Sequence, residues 1–143
     1  MILFSFVKRN VRLTDRQELM TLDAYYPEPI ELEAYGNGGF RFGDMSHKGS
    51  LLILSSGIYG WPYGSFEDVT IDSFKALFDE AERHEFLIFG TGETQKFPGV
   101  EFKGAFIEAG LGLEVMDTGA AARTYNVLQA EGRKVAAALI AVD

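Results

Sequence analysis

Two short stretches of this 143-residue chain gather residue types that could hold a ligand. Gly90-Thr91-Gly92 follows one apolar run, and Met116-Asp117-Thr118 follows another. If both runs are parallel strands, the stretches meet at the carboxyl edge of a sheet, where ligands of α/β folds usually bind. A helix starting at Thr118 leaves backbone N–H groups free near Gly119 and Ala120, able to hold an anion or a carbonyl oxygen. Arg123, in its second turn, leans back toward the same edge, and Asn126 shares its face. Gly90, Thr91, Gly92, Asp117, Thr118, Arg123 and Asn126 thus form a candidate pocket with donors, an acceptor and a fixed cation, suited to a small molecule carrying a carboxylate. A plainer use is favoured for the same residues. Asp117 and Thr118 then cap the helix, Arg123 neutralises Asp117 or Glu131, and Asn126 satisfies a loop backbone.

No motif names a reaction, and the catalytic residues are unknown. Gly90-Thr91-Gly92 lacks the third glycine of a dinucleotide loop, because Gln95 stands in its place, and Pro98-Gly99 forbids an immediate helix. No Gly-Lys-Ser/Thr follows for a Walker loop, and Glu93 would repel phosphate. His47 and His84 have no metal-ligand spacing around them and are expected at exposed loop or helix-end positions. Ser55-Ser56-Gly57 lacks the hydrolase elbow. Asp44 or Asp117 could serve as a general base, with nothing to single either out. No metal and no cofactor are expected. Tyr59, Trp61, Tyr63 and Phe66 lie in a segment, 57–66, expected to be an irregular aromatic loop. Tyr59, Trp61 and Tyr63 form a candidate partner surface, since aromatic residues dominate binding hot spots; the competing role is to cover one end of the core.

The elements that must position these residues follow from periodicity. Ile30, Leu32 and Ala34 alternate with Glu31, Glu33 and Tyr35, which predicts a half-buried strand, and Asn37-Gly38 predicts a tight hairpin turn leading to Phe40 and Phe42. After a polar loop, Ser50 to Ser55 reads as a strand buried on both faces. Phe74, Leu77, Phe78 and Ala81 predict an amphipathic helix over 72–83, with Thr70 or Asp72 as N-cap. Phe86 to Phe89 is a strand, Phe102 to Ala109 a helix ended by Gly110, and Leu113 to Met116 a strand. Thr118 caps a helix to Glu131, Gly132 supplies its C′ position, and Val135 to Val142 is an apolar strand. Strands alternating with helices require a parallel βαβαβ half. The expected α/β fold is a mixed sheet covered by helices, with an antiparallel N-terminal β-hairpin. Residues 28–143 form the single domain and residues 1–27 a weakly structured extension, with a membrane-surface or partner-docking helix as a lesser reading of that stretch.

Composition sets the wider bounds. With 47% hydrophobic and 13% aromatic residues, the chain can bury a real core. A formal charge of −8 disfavours nucleic-acid partners. The absence of cysteine excludes disulfides and thiolate chemistry and suits a reducing compartment. The longest apolar run, Val135 to Val142, is far shorter than the ~20 residues of a transmembrane helix. These features predict a cytoplasmic protein.

The succession of Gly90-Thr91-Gly92, then Met116-Asp117-Thr118 running on through Arg123-Thr124-Tyr125-Asn126, then Glu131-Gly132-Arg133 and an apolar strand resembles a small domain-of-unknown-function family. Its members include the mitochondrial complex I assembly factor three and an adipogenesis-associated cytosolic protein, besides bacterial and archaeal proteins. The likeness runs from about Ile30 onward, and Trp61 falls where the family tends to carry a tryptophan. The resemblance implies a three-layer arrangement of a mixed sheet between helices and a small β-element. No enzymatic activity is established for the family, and the resemblance implies protein contact in the maturation of a respiratory complex, with a protein partner; the alternative, an enzyme or small-metabolite-binding protein with its site between the Gly90 and Asp117 loops, rests on the residues of those loops. Any family-wide site would draw on Gly90, Thr91, Gly92, Asp117, Thr118, Arg123, Thr124, Asn126, Glu131 and Arg133.

Overall fold

The computed structural model describes residues 26–143; the first 25 residues of the expected extension lie outside them. Asn37 and Gly38 turn the chain at φ +53° and +79°, the paired positive values that match the twist of a hairpin. They join β1 (Ala34–Gly36) to β2 (Gly39–Phe42), with Gly36 opposite Gly39. Gly43 and Asp44, at +55° and +64°, reverse the chain again into β3 (Met45–Lys48), where Met45 faces Phe42. The expected polar loop is therefore largely the third strand of a small antiparallel sheet.

The main sheet holds β4 (Ser50–Leu54), β5 (Gly57–Trp61), β6 (Phe86–Gly90), β7 (Gly112–Met116) and β8 (Val135–Leu139), in the spatial order β5-β4-β8-β6-β7. β6 runs parallel to β7 and β8, while β4 pairs antiparallel with β5 and β8. The mixed sheet and its parallel half agree with the alternation of elements. The segment 57–61 does not: it is a regular edge strand rather than an irregular loop. Each β5 residue has a ladder partner on β4, from Gly57 opposite Leu54 to Trp61 opposite Ser50, so pairing overrides the weak strand preference of its glycines.

The helix expected over 72–83 is broken into a 3-10 turn at 71–74, α1 (Lys75–Asp79) and a second 3-10 turn at 81–83. Side chains compete there for the carbonyls a continuous helix would use. The Trp61 indole donates to the Ser73 carbonyl at 3.0 Å, and His84 Nδ1 lies 3.1 Å from the Glu80 carbonyl. α2 (Val100–Glu108) and α3 (Thr118–Ala130) match their periodicity closely.

Three layers result. On one face of the sheet Leu52, Leu54, Leu87, Phe89 and Ala138 pack with Phe74, Leu77 and Phe106 from the α1 and α2 side. On the other, Leu51, Ile53, Ile88, Ala137 and Leu139 pack with Ala121, Ala122 and Tyr125 of α3 and with Phe40 and Phe42 of the small sheet. β8 is buried throughout and carries three consecutive alanines, which permit close approach from both layers.

Candidate functional site

The two polar stretches do meet at the carboxyl edge of β6 and β7, and there they bond to each other. Thr118 is fully buried. Its Oγ1 donates to the Ile140 carbonyl at 2.7 Å and accepts from the Gly92 N–H at 3.0 Å, while its own N–H donates to the Gly92 carbonyl at 2.8 Å. Ile140 in turn donates its N–H to the Gly90 carbonyl. Thr118 thus ties together the chain leaving β6, the chain leaving β8 and the start of α3. Its expected capping role belongs to Asp117, whose Oδ1 accepts from the Ala120 N–H at 2.9 Å. Thr118 is the first helical residue instead, and the edge places its hydroxyl between two backbone partners.

Thr91 is similarly committed. It is buried, donates from Oγ1 to the Thr94 carbonyl at 2.7 Å and accepts from the Lys96 N–H at 3.0 Å, folding the loop after β6. Gly90 has no room for a side chain: a Cβ there would stand 3.0 Å from atoms of Ala121, Leu139 and Thr118. Gly90 serves close packing of α3 on the sheet and Gly92 a backbone turn at φ +115°, rather than a phosphate cradle.

Arg123 leans back one turn, its Nη1 3.4 Å from where a Cβ on Gly119 would stand, and meets Tyr35 of β1, while Asn126 faces the segment before β1. Arg123 Nη1 donates to the Tyr35 hydroxyl at 3.0 Å; neither Asp117 nor Glu131 is its partner. Asn126 accepts from the Leu32 N–H and donates to the Leu32 carbonyl, both at 2.8 Å. The Tyr125 hydroxyl donates to the Ile30 carbonyl at 2.8 Å, and Gln129 reaches the Pro29 carbonyl at 3.2 Å. Burial raises the Tyr125 phenol far above its ordinary pKa, which keeps it a neutral donor. The alternating stretch 30–33 is accordingly not a strand; side chains of α3 bond the backbone of Ile30 and Leu32, and Glu33 donates its N–H to the Arg41 carbonyl of β2 at 2.7 Å. A shallow groove of about 350 Å³ lies along this contact, lined by Leu32, Tyr35, Ala122, Arg123 and Asn126. The candidate pocket is therefore split: Gly90, Thr91, Gly92, Asp117 and Thr118 form a closed knot, and Arg123 and Asn126 belong to a separate surface.

The aromatic candidates divide as well. Trp61 is 5% exposed and lies within 6.1 Å, centroid to centroid, of Tyr63, Phe74 and Phe89. It is a core residue and not an exposed anchor, because its indole N–H finds the Ser73 carbonyl inside. Tyr59 and Tyr63 are half-buried beside it. His84 is buried rather than exposed: its Nε2 accepts from the Ser55 N–H at 2.9 Å. Around it Ser55 and Ser56 donate to the Glu80 carboxylate at 3.3 and 2.7 Å, and the Tyr59 hydroxyl lies 2.7 Å from Ser56 Oγ. This cluster latches the β4–β5 turn to the end of α1. Sequence spacing gave no sign of it, since its members lie up to 29 positions apart. Among the described residues no helix is long and apolar enough to cross a membrane.

A family model described as a protein of unknown function, DUF498/DUF598, matches residues 32–140. The chain belongs to that family. The match spans the small sheet, the main sheet and α1, α2 and α3, and so takes in both halves of the divided pocket. Among DUF498/DUF598 relatives, the mouse NADH dehydrogenase [ubiquinone] 1 alpha subcomplex assembly factor 3 is 30% identical over 128 residues, covering 90% of this chain and 69% of that protein. An uncharacterised protein of Rhodobacter capsulatus is 36% identical over 115 residues, 78% of this chain and 84% of its own. The crystal structure of a protein described as an outer membrane protein of Bartonella henselae superposes with a TM-score of 0.79 at 42% identity, covering 82% of this chain and 99% of that one. The resemblance read from the residues and the α/β architecture are thereby both established. Of the remaining positions singled out by the resemblance, Arg133 pairs with Glu85 at 3.0 Å and lies over the Phe86 ring, Thr124 is half-buried on α3, and Glu131 is the C-cap of α3.

Proposed function

We propose that this chain is a non-catalytic binding protein that supports maturation of a membrane-associated respiratory complex, working by protein contact from the cytoplasm. The similarity to complex I assembly factor 3 over nine-tenths of the chain carries this reading. The geometry supports it from a second direction. The polar groups that suggested a small-molecule site are spent on each other: Thr118 and Thr91 are buried and bonded to backbone, and Asn126 holds Leu32 with both ends of its amide. A metabolite would have to break these bonds, each worth about 1 kcal/mol net, before making its own.

The test is deletion of the gene in its own host, followed by native gel electrophoresis of solubilised membranes. The expected outcome is a loss of assembled respiratory complex I while its subunits are still made, with rescue by the intact gene. Unchanged complex levels would overturn the proposal. Replacing Arg123 by alanine is expected to leave rescue intact, since its contact with Tyr35 is exposed and internal to the chain.

A further inference from the structure

β7 is the outer strand of the main sheet, paired with β6 on one side and with no described strand on the other. Its hydrogen bonds fix which way its backbone faces. Gly112 donates its N–H to the Glu85 carbonyl and Met116 accepts from the Thr91 N–H, so residues 112, 114 and 116 turn toward β6. Leu113 and Val115 therefore turn their N–H and C=O groups outward. The Gln95 amide takes one of these groups, the Val115 carbonyl, at 2.8 Å.

A groove runs along each face of this open edge. On the α2 face it measures about 490 Å³ and its lining includes Phe97, Ile107, Leu113 and Val115. Phe97 is 73% exposed and Ile107 70%, large values for side chains of that size. On the α3 face a groove of about 350 Å³ is lined by Glu114, Met116, Thr124, Leu128 and Arg133 among others, and Arg133 there is already paired with Glu85. Successive side chains of an extended strand point to opposite faces. One extended segment laid along β7 would fill both grooves at once and meet both outward groups of Leu113 and the N–H of Val115, taking the Val115 carbonyl over from Gln95, whereas a helix would fill one groove and leave the Leu113 groups and the Val115 N–H unmet.

We infer that β7 accepts an added β-strand from a partner protein, and that the segment carries the pattern apolar, basic, apolar, with its Lys or Arg beside Glu114. Apolar residues on either side of the basic one enter the groove of Phe97 and Ile107. The charge argument selects this occupant over a second copy. In the antiparallel register that uses both Leu113 and Val115, a twofold pairing sets Glu114 directly opposite its own copy, and like charges so placed repel. The net charge of −8 opposes self-association further and favours a basic partner. This surface rests on the assembly reading and gives it a place and a partner chemistry.

The test uses the full chain and an end-blocked peptide, Ser-Ile-Val-Arg-Val-Ile-Ser, titrated while backbone amide resonances and exchange rates are followed by NMR. The expected result is slowed exchange at the Leu113 and Val115 amides. Changing the peptide arginine to glutamate is expected to weaken binding about tenfold, and Glu114→Arg to reverse the preference. Equal affinity for both peptides, or changes mapping away from β7, overturns the inference. So does slow exchange at these two amides without peptide, whether it depends on concentration, as for a second copy, or not, as for residues 1–25 of the same chain. Val115→Pro removes the outward donor together with part of the Val115 packing on the core and leaves the β6 ladder whole, so it reports on docking even if Glu114→Arg folds poorly. In cells the two ideas separate. If gene deletion abolishes complex assembly and both β7 variants restore it fully, the edge is wrong and the assembly reading stands. If deletion has no effect while the peptide binds as described, the assembly reading falls and the strand-accepting edge stands.

Discussion

A valine at position 118 would match the volume of Thr118 and fill the same buried space. The hydroxyl is there for the Ile140 carbonyl and the Gly92 N–H. Thr118→Val strands both groups away from water, so it should cost about 2–4 kcal/mol in urea unfolding, whereas Thr118→Ser keeps the oxygen and should cost under half of that. His84 supplies a pH dependence. The ring must be neutral, with its proton on Nδ1, for Nε2 to accept from Ser55. Burial lowers its pKa below the ordinary value of 6.5, so the unfolded chain binds the proton first as pH falls. The stabilisation is complete above the ordinary value and is lost below it. Urea midpoints should therefore fall between about pH 7.5 and pH 5.5, and the fall should be shallower in His84→Gln.

At the scale of elements, α3 does two jobs on two faces. Its small residues Ala121 and Ala122 let it settle on the sheet, while Tyr125, Asn126 and Gln129 hold the backbone of 29–32 much as a neighbouring strand would. Asn126→Ala should cost about 1–3 kcal/mol and speed hydrogen exchange at the Leu32 amide. Asp117→Ala, which removes the cap of α3, should cost about 1 kcal/mol, and Asp117→Asn much less. These two roles also explain what could be read in advance. The parallel strands, α2, α3 and the Asn37-Gly38 hairpin were legible because each carries its own period or turn chemistry. The alternation at 30–33 is real, but its main pairing partner is a helix, which no local pattern reveals. β3 escaped because Gly43-Asp44 is a less familiar form of the same turn, and β5 because glycine and aromatic residues mask strand periodicity. The two polar stretches meet at the edge the alternation of elements predicts, yet whether their hydroxyls point to a cavity or to backbone depends on the 22 and 26 positions separating Thr118 from its partners.

For the molecule as a whole, the strand order β5-β4-β8-β6-β7 sets the pattern of stability. β8 joins an antiparallel pair on one side to a parallel pair on the other, and both core clusters include its side chains. A chain stopped after Lys134 should lose cooperative unfolding and tertiary near-ultraviolet dichroism rather than yield a weaker version of the same fold, because each remaining pair of strands would present an open, apolar edge. The order of manufacture matters too. A ribosome delivers β4 and β5 first, then β6 and β7, and only afterwards the strand that belongs between them. Until β8 arrives, the nascent chain carries two half-sheets whose inner edges are complementary to each other's missing neighbour. The gap must stay open for a late arrival, so this protein is exposed to misjoining during synthesis, and a holding chaperone on the emerging chain would matter more for it than for a fold whose centre is made early.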